Sequence, residues 1–75
     1  MPTLRQARTQ RLLTIRGVAK RAGVSPTTIQ TAELGRRQPH FDTMRKIAAV
    51  LGVEPSAITE FRAAIEGLAE GKEAA

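Results

Sequence analysis

Cysteine, tryptophan and tyrosine are absent from this 75-residue chain, which has two phenylalanines and one histidine. The lack of cysteine excludes a disulfide framework and a thiolate metal site, and it fits a reducing compartment. No apolar run approaches the roughly 20 residues that span a bilayer, and the N-terminus lacks the apolar core of a secretory signal. We therefore expect a soluble, cytoplasmic protein with a single domain.

Groups that support catalysis are equally scarce. Hydrolytic or transfer chemistry needs a nucleophile with a base, or a metal cage, and His40 has only Asp42 and Thr43 close to it in the sequence. The glycines are isolated, so the chain has no phosphate-cradling loop. We expect neither an enzyme nor a cofactor or metal site, and we interpret His40 as a residue that starts a helix.

Positive charge is concentrated in the first part of the chain. Residues 1–46 carry ten Lys and Arg against two acidic residues, a net charge of +8, whereas residues 47–75 carry two against five, a net charge of −3. A polyanion would attract the first part and repel the second. This division indicates a nucleic-acid partner for the N-terminal two thirds of the chain.

Apolar spacing and helix caps predict an all-α chain. The domain should span residues 1–69 and be followed by a flexible tail at 70–75, and its helices should lie at about 4–12, 15–22, 26–34, 41–51 and 55–68. Thr3 and Gln6 form a capping box ahead of the first helix. Phe41 to Leu51 is the clearest amphipathic segment.

The segment from Ile15 to Leu34 predicts two short helices joined by a tight turn. Gly23 suits the left-handed conformation that ends a helix, and Ser25 with Pro26 is a typical helix start. Ala19 is small enough for a steep crossing of the two helices. A plain helical bundle uses similar pairs, so the spacing alone leaves the function open.

The residues of this segment resemble the helix-turn-helix of phage-repressor and Cro-like (XRE-type) DNA-binding proteins. The resemblance rests on Val18, Ala19, Ala22, Gly23, Val24, Ile29 and Ala32, and the wider pattern extends from about Leu4 to Phe61. It implies a compact, five-helix, lambda-repressor-like domain in which Arg8 pairs with Glu33. It also implies a two-fold dimer on a pseudo-palindromic operator.

A helix that enters the major groove reads bases with side chains that point away from the core. On the helix at 26–34, the candidates for base contacts are Thr27, Thr28, Gln30 and Thr31. The candidates for phosphate contacts are Thr14, Arg16, Ser25, Arg36 and Arg37. Pro26 and Ile15 depart from the family, which often has a long polar side chain at the first position and a phosphate-binding glutamine at the second.

The last helix continues its apolar stripe beyond the resemblance. Ile58, Phe61, Ile65 and Leu68 follow one another at steps of three, four and three residues. The first two should cap the core. Ile65 and Leu68 either extend that core or form a dimer interface, and we favour the interface.

These patterns favour a sequence-specific, double-stranded DNA-binding transcriptional regulator that acts as a repressor. The alternative within the same family is an antitoxin, which would bind DNA and also a toxin protein through the acidic C-terminal helix. A pure protein-interaction module without a nucleic-acid role is a third alternative.

Overall fold

A computed structural model of the chain describes residues 1–69, with side chains up to Gly67. This part is all-helical and contains no strand. The helices are α1 (Leu4–Gln10), α2 (Ile15–Ala22), α3 (Pro26–Glu33), α4 (Phe41–Leu51) and α5 (Thr59–Ala69), with a 3-10 turn at Pro55–Ala57. The predicted tail at 70–75 and the side chain of Leu68 lie outside the described residues.

Side-chain caps begin the first three helices. Thr3 and Gln6 form the reciprocal capping box, in which the Thr3 hydroxyl accepts the Gln6 N–H at 3.1 Å and Gln6 Oε1 accepts the Thr3 N–H at 2.9 Å. Thr14 accepts the Gly17 N–H at 2.9 Å, and Ser25 accepts the Thr28 N–H at 3.3 Å. These local bonds determine where α1, α2 and α3 start.

Helix α1 is shorter than the predicted 4–12. It ends at Gln10 because Leu12 adopts a left-handed conformation with φ of 57°, which turns the chain toward α2. The Leu12 N–H donates to the Thr9 carbonyl at 2.9 Å and the Leu13 N–H donates to the Arg8 carbonyl at 3.2 Å, a Schellman motif. Leu13 then packs against the core, so burial of Leu13 stabilises the early stop.

The predicted helix at 55–68 is wrong at its start. Ile58 is extended, with φ of −102° and ψ of 126°, and it separates the 3-10 turn from α5. The Thr59 N–H donates to the Pro2 carbonyl at 2.9 Å, so this N–H bonds to the start of the chain instead of continuing a helix from Pro55. Helix α3 also ends one residue before the predicted Leu34, which is its C-cap.

All five helices contribute to one apolar core. Its fully buried larger members are Leu4, Val18, Ile29, Met44, Ile47, Leu51, Ile58 and Phe61. Ala19 and Ala22 of α2 and Ala32 of α3 are buried where helices pack closely. Burial of each large side chain contributes about 1.5 to 3 kcal/mol to the stability of the fold. The core therefore holds α3 in a fixed position with its polar face outward.

Among the side chains of α5 that the structure describes beyond Phe61, Ala64 is buried at 8% exposed, whereas Ile65 is only partly buried. The predicted spacing of three, four and three residues assumed a continuous helix from Pro55. Because Ile58 is extended, it lies outside α5, and its side chain enters the core from the segment before this helix. Ile65 therefore lies at the edge of the core.

Candidate nucleic-acid interface

The outer face of α3 is polar and opposite to its buried face. Ile29 and Ala32 are buried, whereas Thr27 and Gln30 are exposed and Thr31 is partly exposed. Residues of an α-helix advance by about 100° each, so Thr27, Gln30 and Thr31 share the side turned away from the core. Thr28 lies at the flank of this face and is partly buried.

The polar side chains along α3 differ in which hydrogen-bond donors and acceptors remain unbonded. Thr31 Oγ1 donates to the carbonyls of Thr27 at 2.9 Å and Thr28 at 3.3 Å. The Ser25 and Thr28 hydroxyls are hydrogen-bonded to each other at 3.0 Å. The Gln30 amide has no hydrogen-bond partner among residues 1–69, so it retains the donor and acceptor that a bidentate base contact requires. The O–H of Thr31 is already engaged, which leaves its methyl group for apolar contacts.

The predicted phosphate-binding residues are all exposed. Thr14 and Arg16 lie at the start of α2, Ser25 is the N-cap of α3, and Arg36 and Arg37 follow α3 in the loop that leads to α4. The Thr14 oxygen accepts a backbone N–H, so its own O–H remains free to donate to a phosphate. These positions therefore offer cationic or hydroxyl donors before and after the polar face of α3.

Ile15 fills a structural role at the position where the sequence lacked a phosphate-binding glutamine. Its side chain is partly buried and packs against the core. This position of α2 therefore stabilises the fold and contributes no polar group to the surface.

An ion pair joins α1 to the end of α3. Arg8 Nε donates to Glu33 Oε2 at 2.5 Å, Arg8 Nη2 donates to Glu33 Oε1 at 3.1 Å, and their side chains are 11% and 7% exposed. Arg8 Nη1 also donates to the Leu13 carbonyl at 2.9 Å. The hydrogen bond to Glu33 raises the pKa of the Arg8 guanidinium, against the lowering effect of burial. This bidentate pair holds the end of α3 against α1 and the following turn.

A polar concavity of about 400 Å³ adjoins α3 on the side of α4. One wall consists of α3 residues and its N-cap, including Ser25, Thr28 and Thr31, and the opposite wall includes Arg37 and His40. Thr43 of α4 also lines this concavity. His40 and Thr43 are not among the DNA contacts that the sequence predicts, and the short loop between α3 and α4 is the feature of the sequence that places them near α3.

Other kinds of site find no support in the described part of the chain. No group of three or more His, Asp and Glu side chains within it is arranged to hold a metal ion. None of the helices described here combines the length and apolarity that crossing a bilayer requires. Recognition of a polyanion is the chemistry that this surface supports best.

A family model described as helix-turn-helix matches residues 4–58 of the chain. The matched region starts with α1 and ends just before α5, so it contains the polar face of α3 and the loop after it. No curated protein and no solved structure matches the chain.

Proposed function

This chain belongs to the XRE-type helix-turn-helix family of DNA-binding regulators, and we propose that it is a sequence-specific transcriptional repressor that reads the major groove with α3. The observation that carries the proposal is the polar outer face of α3, with an unpartnered Gln30 amide between Thr27 and Thr31. A cationic loop follows this face directly. Such a surface fits a groove that is lined by base edges and bordered by phosphates.

The four candidate base-reading residues divide by chemistry. Gln30 pairs bidentately with adenine, and the methyl groups of Thr27 and Thr31 contact the methyl group of thymine. Thr28, bonded to Ser25 at the flank of the helix, contacts the backbone more readily than a base. Arg16, Arg36, Arg37 and the hydroxyls of Thr14 and Ser25 position the helix through phosphates.

Two copies of the domain would place two α3 helices in successive major grooves. We propose that Ile65 and Leu68 of α5 form the seam of this homodimer, since Ile65 is only partly buried in the single chain. Recognition helices about 34 Å apart require an operator with pseudo-two-fold symmetry. The dimer thus links the C-terminal helix to the form of the DNA site.

One observation favours the second candidate, an antitoxin. Helix α5 begins at Thr59, beyond the family match, and residues 47–75 carry a net charge of −3 that DNA would repel. This acidic part of the chain suits a basic protein partner. Copurification of a toxin encoded by an adjacent gene, and its loss on Ile65→Asp, would favour the antitoxin over the free-standing repressor.

Salt dependence of duplex binding tests the DNA-binding role. Each phosphate contact makes the negative slope of log K against log salt steeper by about 0.9, because it releases condensed counterions. Arg36→Ala and Arg37→Ala should each reduce this slope by about 0.9 per subunit and weaken binding to all sequences alike. Fluorescence anisotropy with a labelled duplex measures both effects.

Arg62→Ala is the matched control. Arg62 is an exposed arginine of α5 that pairs with Glu66 at 3.0 Å, beyond the family match. Its removal should leave the slope unchanged. A double variant of Arg36 and Arg37 that retains the parental slope would show that the loop does not contact phosphate.

A further inference from the structure

We propose that His40 is a ligand for a DNA backbone phosphate and that it makes DNA binding dependent on pH. This inference rests on the proposed function, because it assigns a further contact and a means of regulation to the same interface. It starts from the concavity between α3 and α4, whose lining residues include His40, the one histidine of the chain.

The lining of this concavity suits an anion. Arg37 supplies a permanent cation, and hydroxyl groups come from Ser25, Thr28 and Thr43. Among the described residues that line it there is no carboxylate. A phosphate seated here would meet donors from two sides and no negative charge.

The position of the concavity matches the path of a DNA strand. Thr27 and Thr31 belong to both the outer face of α3 and the lining of the concavity. A major groove is about 12 Å wide, so a helix inside it is bordered by the phosphates of the flanking strands. A strand that borders α3 on the side of α4 passes over this concavity.

The imidazole of His40 is free to donate a hydrogen bond to a phosphate of this strand. His40 is the N-cap of α4, but only its backbone takes part, because its carbonyl accepts the Met44 N–H at 2.9 Å. Within residues 1–69, the imidazole makes no hydrogen bond. A neutral imidazole offers one N–H, whereas the protonated form offers two and a positive charge.

The charged groups near His40 come from the loop before α4 and from α4 itself. Arg37, from the loop, is the cation that shares the concavity. Asp42, on α4, is exposed and forms an ion pair with Arg45. The wall formed by α3 contributes hydroxyls and no ionisable group. A phosphate brought into the concavity therefore becomes the main anion near the imidazole and favours its cationic form.

The sign of the effect follows from this preference. If the DNA-bound state favours protonated His40, binding takes up as much as one proton per subunit. The added affinity is present at low pH, where imidazole is charged, and it is lost as the pH rises and the bound proton is released. DNA binding should therefore strengthen on mild acidification.

The test compares the intact chain with His40→Gln, with a labelled duplex selected for binding. A contact that favours the cation tenfold makes binding about fivefold tighter per subunit at about pH 5.5 than at about pH 7.5. The slope of log K against log salt should also steepen at the lower pH, by up to about 0.9 per subunit as the bound imidazole becomes fully charged. In His40→Gln, both changes should disappear, and its circular dichroism should match that of the parent because the residue is exposed.

Lys46→Gln is the control, since Lys46 is exposed on α4 and does not line the concavity. This variant should keep the parental response to pH. Equal affinity and equal salt slope at the two pH values in the parent would overturn the inference, as would a pH response that persists in His40→Gln. Duplex binding without pH dependence contradicts this inference alone, whereas a lack of duplex binding at either pH contradicts the proposed function as well.

Discussion

Among single residues, Arg8 links the fold most directly to the candidate interface on α3. Its guanidinium bonds to both oxygens of Glu33 and to the Leu13 carbonyl, so one side chain joins α1, the turn after it and the end of α3. Both partners of the pair are largely buried. Because the pKa of Arg8 is raised, the guanidinium contributes its stabilisation at every pH below its unfolded-state value, which includes the whole neutral range.

Arg8→Ala should therefore lower the free energy of unfolding by about 3 kcal/mol, since it leaves the Glu33 carboxylate without its partner. Arg5→Ala, at an exposed position of the same helix, should change it by less than about 0.5 kcal/mol. Urea denaturation measures both. A double-mutant cycle of Arg8 and Glu33 that shows no coupling energy would contradict the structural role of the pair.

Leu12 has a backbone conformation that is unusual for a leucine. It is 92% exposed and has φ of 57°, whereas the corresponding left-handed positions after α2, α3 and α4 are glycines. A left-handed conformation costs an L-residue about 1 to 2 kcal/mol, and glycine avoids most of this cost. The exposed side chain offers little burial in return.

Leu12→Gly should raise the free energy of unfolding by about 0.5 to 1 kcal/mol, because relief of strain outweighs the added freedom of the unfolded chain. Leu12→Ala keeps the Cβ and should leave the stability nearly unchanged, which makes it the matched control. Thermal denaturation at equal protein concentration distinguishes the two. Loss of stability in Leu12→Gly would show that this side chain has contacts beyond those within the single chain.

At the level of elements, hydrogen bonds connect the start of α5 to the start of the chain. Thr59 Oγ1 donates to the carbonyls of Met1 at 3.2 Å and Pro2 at 3.1 Å, and Glu60 Oε1 accepts the Leu4 N–H at 2.9 Å. The last of these bonds satisfies one of the N–H groups that the first turn of α1 leaves free. These contacts connect a helix beyond the family match to the first element of the matched region.

Glu60→Ala should lower the free energy of unfolding by about 1 to 2 kcal/mol, because a charge-assisted bond to a partly buried N–H is lost. Glu66→Ala, which removes an exposed pair with Arg62, should cost less than about 0.5 kcal/mol. Chemical denaturation of the two variants compares them directly. Equal effects would mean that the Leu4 bond adds no stability.

The elements also show what the sequence predicts well and what it does not. Helices α2 and α4 run over the residues where apolar spacing and caps placed them, because each starts and stops on local signals. The ends that differ depend on distant contacts. Burial of Leu13 favours the early end of α1, and the bond from Thr59 to Pro2, across almost the whole chain, separates the 3-10 turn from α5.

The features of the candidate site also divide into those that the sequence predicts and those that it does not. The outward residues of α3 follow from helical periodicity once Ile29 and Ala32 are assigned to the core. The inward bonding of the Thr31 hydroxyl and the approach of His40 to α3 depend on rotamers and on the packing of α4. Sequence spacing carries neither kind of information.

For the whole molecule, charge divides the sequence into a basic part and an acidic part. The N-terminal 46 residues carry the positive charge and the candidate DNA contacts, whereas the part from residue 47 onward is acidic. A protein that binds an operator as a dimer needs both a cationic face for DNA and a face for its copy. The second face should therefore lie on α5.

A variant with Ile65→Asp and Leu68→Asp should be a folded monomer that binds DNA more weakly than the parent, because the seam loses its apolar contacts. Sedimentation equilibrium and circular dichroism give the mass and the fold. An unfolded chain would place these residues in the intramolecular core instead. An unchanged dimer would exclude them from the interface.

The most direct test of sequence-specific reading by α3 is selection of bound sites from a random duplex library by the parent chain and by Gln30→Ala. The parent should enrich a pseudo-palindromic site, and Gln30→Ala should lose preference at one position in each half-site, by about 1 to 3 kcal/mol. Arg37→Ala, the control, should bind more weakly but enrich the same site. Enrichment of no site by the parent, or of an identical site by Gln30→Ala together with Thr27→Ala and Thr31→Ala, would contradict reading by α3.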